Sequence, residues 1–139
     1  TAVEKEGMEL FNQKCAACHS GILFSDFKFR NNGLTTTSDV GRFRVSVIST
    51  DSFKFKTPTL RNIEKSSPYM HDGRFTTLEE VLNHYSSGIV KTTTTLDTVL
   101  QRNNTLGIPL NADEKSKIIS FLKTLTDTKM MTDSRFSEF

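Results

Sequence analysis

The sequence predicts an all-α domain spanning residues 1–126, with long loops between its helices and a tail at 127–139. Three observations predict it. Apolar side chains recur at helical spacing in three separated segments, two of these segments open with helix-capping signatures, and the chain between the first two is broken by Gly and Pro. A length of 139 residues suits one compact domain, and neither an internal repeat nor a domain boundary is visible.

The first helix is read from Val3 to Lys14. Val3, Gly7, Leu10 and Phe11 share a face, Glu4, Lys5, Glu6 and Glu9 fall mostly elsewhere, and the helix should end just before Cys15. Between Ser20 and Pro68 come short aromatic and glycine-bearing pieces (Phe24, Phe27, Phe29, Gly33, Gly41, Phe43, Phe53, Phe55) with Pro58 and Pro68 as breakers. Irregular chain of that length is uncommon in a compact domain unless it wraps a ligand. Order returns where Thr76 with Glu79, or Thr77 with Glu80, can form a capping box ahead of Leu78, Val81, Leu82 and Tyr85, a short helix closed by Gly88. His84 lies beside this apolar stripe and is expected to face water. Residues 89–110 are polar, with a threonine run from Thr92 to Thr95. Asn111 with Glu114 repeats the capping signature before Ile118, Phe121, Leu122 and Leu125, predicting a helix over 112–125. Gly7 and Phe11, one turn apart, permit a close crossing with that helix. The tail shows no period and reads as a surface strap or docking arm.

Composition excludes several classes. No run of eighteen apolar residues could span a bilayer, and a net charge of +2 without blocks of like charge gives nucleic-acid binding no electrostatic support. Two Cys exclude a disulfide-stapled fold. The apolar fraction of 35% reaches only about 40% with Gly counted, so something besides aliphatic side chains is expected to fill the core. The chain begins at Thr1 without an initiator Met, which predicts that an upstream piece has been removed.

The run Cys15-Ala16-Ala17-Cys18-His19 is the c-type haem attachment signature. Two thiols three residues apart near a helix end can add to the two vinyl groups of one porphyrin, and the adjacent imidazole lies under the iron as proximal ligand. A large flat hydrophobe fixed in this way accounts for the aliphatic-poor core. A redox dithiol of the thioredoxin type also uses this Cys spacing, but it needs alternating strands and helices that the chain lacks. A structural zinc site needs four ligands, against two Cys and three His in all: His19, His71 and His84. The fold class is therefore all-α, a c-type cytochrome fold with long haem-wrapping loops.

Beyond this motif the chain resembles the C-terminal, electron-transfer haem domain of bacterial di-haem cytochrome c peroxidases and MauG-like proteins. The resemblance runs through Phe24-Ser25-Asp26 to Phe29, Asn31 to Gly33, Asp39-Val40-Gly41-Arg42, Phe55 to Asn62, Pro68-Tyr69-Met70-His71-Asp72-Gly73 and Thr77 to Val81. Arg30 stands where many relatives are expected to have His, so no role of that His transfers. In the peroxidases a Met ligates iron fourteen residues after the His of the Pro-Tyr-x-His loop; here that position is Tyr85, where MauG-type proteins are understood to place a Tyr ligand. The resemblance thus implies Tyr85 as sixth iron ligand, with Met70 as runner-up. A plain role for Tyr85 in the apolar face of its helix stays open. A thioether would raise the potential; an anionic phenolate would lower it and suit storage of oxidising equivalents.

By the same resemblance His71 sits near the distal face as an acid/base for bound peroxide, or simply holds its loop. Arg61 pairs with a haem propionate, or is a plain surface Arg. A calcium ion lies at the interface with a second domain, partly on backbone carbonyls matching Ser66 and Pro68. The implied function is electron transfer through one covalent haem c to a second haem in a preceding domain. The external donor would be a small redox protein, a cytochrome c or a cupredoxin. The resemblance further implies a periplasmic location and allows a homodimer. Two rival readings are a free-standing mono-haem carrier and a haem that itself reduces peroxide.

Overall fold

The computed structural model describes residues 1–34, 38–91, 93–102 and 104–136. In chain order the elements are α1 (Ala2–Lys14), β1 (Phe29–Arg30), α2 (Phe43–Ser46), β2 (Phe55–Lys56), α3 (Leu78–Asn83), β3 (Gln101–Arg102), β4 (Thr105–Leu106), α4 (Ala112–Lys123) and α5 (Thr128–Thr132). The fold is mostly α. Its strands are two-residue antiparallel pairs, β1 with β2 and β3 with β4, which pin loops rather than build a sheet.

The core forms where α1 crosses α4. A Cβ at Gly7 would lie 2.0 Å from the carbonyl oxygen of Lys117, so the two backbones approach as closely as only glycine permits. Phe11 and Ile118 are buried at the crossing, and the rings of Phe11, Phe24 and Phe121 meet with centroids 5.2–6.0 Å apart. Lys14 ties the C-terminal end of α1 to the start of α4, donating to the Glu114 carboxylate at 2.8 Å and to the Pro109 carbonyl at 2.9 Å.

Local chemistry sets the helix ends as the sequence predicts. Thr77 Oγ1 accepts from Glu80 N–H while the Glu80 carboxylate accepts from Thr77 N–H, so the second of the two candidate capping boxes forms; Asn111 and Glu114 do the same for α4. Leu78 and Leu82 then bury one face of α3 in the same core. Beyond Asn83 the helix loosens into a π turn over residues 84–88. A neighbouring segment draws its carbonyls aside: Ile108 N–H donates to Tyr85 O at 2.7 Å, and Gly107 leaves no room for a Cβ beside that oxygen.

In the tail Asp127 accepts from Met130 N–H and starts α5, a helix with no buried residues and too short to show a period. Residues 137–139 of the tail, and Thr92 of the threonine run, lie outside the described residues.

Candidate functional site

The attachment motif continues α1 as irregular helical turns: Cys15 N–H donates to Phe11 O, and His19 N–H donates to Cys15 O. Both thiols are free and half-buried. Burial pushes the Cys15 thiol up to about 12 and raises Cys18 as well, so both are neutral and lie against apolar surroundings. In the residues that follow the motif, Ile22, Leu23 and Phe27 are exposed at 80%, 44% and 48%, and the Lys56 ammonium lies over the Phe27 ring at 4.7 Å.

His19 is held as a ligand would be. Its Nδ1 lies 3.0 Å from the Phe24 carbonyl oxygen, the Pro58 carbonyl also faces the ring, and burial lowers its pKa, keeping the imidazole neutral. With Nδ1–H donating to the backbone, Nε2 keeps its lone pair for a metal. The string around Pro58 thus acts on the motif across the fold. Thr57 N–H donates to Lys28 O, Ser25 Oγ donates to Thr57 O, and Thr59 Oγ1 donates to Leu23 O. This donor set, two thiols on one turn beside a neutral imidazole, with exposed apolar side chains next along the chain, fits a covalently attached haem.

Met70 is held by a side chain of the loop at 31–34: Asn32 Nδ2–H donates to Met70 Sδ at 3.4 Å. Tyr85 is half-buried, and burial pushes its phenol pKa up.

His71 is exposed and lies flat on Phe55, ring centroids 3.7 Å apart, at the edge of a cavity of about 10 Å³ also lined by Asn32 and Phe53. Arg61 donates through Nε to the Ile22 carbonyl at 2.9 Å, and its guanidinium rests over the Phe24 ring at 5.3 Å. Ser66 and Pro68 are exposed.

His84 corrects the expectation drawn from its position beside the stripe. It is 6% exposed, and its Nε2 lies 3.0 Å from the Asn32 carbonyl oxygen. A helix wheel distinguishes one apolar face from the rest; it cannot see that the loop at 31–34 folds over the other side of α3. Arg30 is likewise internal, clamped between the carboxylates of Asp26 and Asp97, and joins the loop after the motif to residues 97–100. Asn32, which holds Met70 and His84, is a residue that sequence reasoning did not single out; it stood only within the Asn31–Gly33 string of the resemblance, an Asn-Asn-Gly run that marks a turn and not a role.

No family model matches the chain. Among curated relatives, the methylamine utilization protein MauG of Methylorubrum extorquens is 44% identical over 88 residues, covering 60% of this chain and 25% of that protein. Cytochrome c551 peroxidase of Nitrosomonas europaea is 36% identical over 129 residues, covering 88% of this chain and 34% of the relative. The crystal structure of a MauG-like protein associated with microbial copper homeostasis superposes with a TM-score of 0.86 at 30% identity, over 99% of this chain and 47% of that one. The chain belongs to the MauG and cytochrome c peroxidase family.

A di-haem peroxidase variant from Burkholderia thailandensis, at 22% identity and TM-score 0.70 over 93% of this chain and 43% of that one, shares the fold. The chain spans between 25% and 40% of the length of the curated MauG and peroxidase relatives it matches. In this MauG and peroxidase domain no helix among the described residues is long and apolar enough to cross a membrane.

Proposed function

We propose that the chain is the C-terminal, electron-transferring haem domain of a di-haem peroxidase or MauG-like enzyme, a c-type cytochrome fold whose loops wrap one covalent haem c. Cys15 and Cys18 attach it, His19 Nε2 is the proximal ligand, and Tyr85 is the distal one. Bound there, the haem supplies a one-electron iron couple. The observation that carries this reading is the attachment motif itself, two free thiols on one turn beside a His19 imidazole whose Nδ1 is held by the Phe24 carbonyl; Tyr85 as sixth ligand would leave no open position for peroxide.

The residues around it hold and orient. Phe24 and Pro58 carbonyls fix the His19 tautomer. Arg61, with Nε committed to Ile22, has its terminal nitrogens left for a propionate carboxylate. Electrons pass between a small redox protein outside, a cytochrome c or a cupredoxin, and a second haem in a preceding domain. A calcium ion at that domain interface would take the carbonyls of Ser66 and Pro68 and complete its ligands from the other domain. A periplasmic location follows from where bacteria attach haem c, outside the cytoplasmic membrane.

Replacing Tyr85 by Phe tests the reading. Loss of an anionic oxygen ligand is expected to change the ferric spectrum and raise the potential. An unchanged spectrum excludes Tyr85 as ligand. The alternative, in which this haem itself reduces peroxide with His71 as acid/base, is favoured by one observation: the exposed imidazole stacks on Phe55 at the edge of a small cavity.

A further inference from the structure

We propose that Asn32 is the positioning residue that selects the distal ligand, its side-chain amide engaging the Met70 thioether and so leaving the iron to Tyr85. This rests on the reading of Tyr85 as the distal ligand. Asn32 Nδ2–H donates to Met70 Sδ at 3.4 Å, while the backbone of the same residue is tied to the segment that carries Tyr85. A thioether coordinates through a sulfur lone pair, and the N–H directed at Sδ engages that side of the atom.

The amide can act as a selector because its position is set by the backbone. Gly33 N–H donates to Asn31 Oδ1 at 2.9 Å, Val90 N–H donates to Gly33 O at 2.9 Å, and Asn31 Nδ2 donates to Thr93 and Thr95 hydroxyls. Gly33 has φ +70° and its missing Cβ would lie 2.6 Å from Ile89 Cγ2, so the turn cannot slide inward. On the other side the Asn32 carbonyl accepts from His84 Nε2–H, tying the turn to the residue that precedes Tyr85. Met70 is anchored through its neighbour: Tyr69 is buried, its N–H donates to Phe75 O at 2.7 Å, and its hydroxyl donates to Ile63 O. Amide and thioether therefore meet at a fixed place before any metal arrives.

The test is the ferric optical and EPR spectrum and the potential of haem-loaded Asn32→Leu. The expected result is loss of the phenolate-to-iron charge-transfer absorption, gain of the thioether-to-iron band and a raised potential. Adding Met70→Leu to that variant should restore the phenolate signature, whereas Met70→Leu alone should leave it in place. Asn32→Asp keeps the shape, deletes both N–H groups and reads the same exchange should the leucine variant fail to mature. A wild-type ligand signature in Asn32→Leu or Asn32→Asp, or a potential that stays or falls, overturns the proposal. An unchanged spectrum in Tyr85→Phe instead removes the underlying ligand assignment, independently of Asn32.

Discussion

At Arg30 one guanidinium is gripped by two carboxylates, Asp26 and Asp97, and all three side chains are less than a fifth exposed. Burial by itself would raise the Asp26 pKa, but the bonds from Arg30 and from Lys28 N–H outweigh it and hold that carboxyl below its ordinary value. The sign of the linkage follows. A carboxylate with a depressed folded pKa contributes stability that is complete above its unfolded value, near 3.9, and that disappears as the pH falls through the folded one. Asp26→Asn should therefore cost about 2 kcal/mol at neutral pH. The gap between wild-type and variant urea midpoints should close below about pH 4; a gap that persists at low pH would contradict the ion-pair account. At this scale the sequence reveals Cys15, Cys18 and His19, because thioether attachment and proximal ligation require neighbours along the chain. It does not reveal Asn32 with His84, whose bond joins residues 52 positions apart.

Among the elements, the α1 and α4 crossing depends on one missing methyl group. Gly7→Ala would drive a Cβ into the Lys117 carbonyl, and the backbones must separate to relieve it. Overpacking of this kind costs roughly 1–3 kcal/mol, so the thermal midpoint of the variant should drop by several degrees. A midpoint equal to wild type would mean that the helices slide without loss. Gly7, Phe11 and Phe121 signalled this crossing through their periodicity. The π turn at 84–88 had no such signal, since it is produced by Ile108 and Gly107 drawing out the Tyr85 carbonyl from more than twenty residues away. The effect reaches the proposed ligand, because the loosened turn is where Tyr85 sits.

For the molecule as a whole, the irregular stretches between α1 and α3 make up much of the chain, and long-range hydrogen bonds hold them, Ser25 to Thr57 within the stretch and Asn31 across to Thr95 in the loop after α3. Apolar side chains that follow the attachment motif are left exposed, as a covalent haem would require. A six-coordinate haem has no vacant position. The haem-loaded chain by itself is therefore expected to give a low-spin ferric spectrum and negligible turnover of hydrogen peroxide. High-spin absorption with rapid turnover would instead support the reading in which this haem is the peroxide site.

What the sequence determined by itself was whatever depends on near neighbours: the helices, through periodicity and capping pairs such as Asn111 with Glu114, and the attachment motif, through the fixed spacing of two thiols and an imidazole. Tertiary structure decided which distant groups meet. It buried His84 against a loop, clamped Arg30 between Asp26 and Asp97, and set the Asn32 amide on the Met70 thioether. The physical reason is that hydrogen-bond geometry is satisfied in space, and a loop of nearly fifty residues leaves no local periodicity from which its closing contacts can be read.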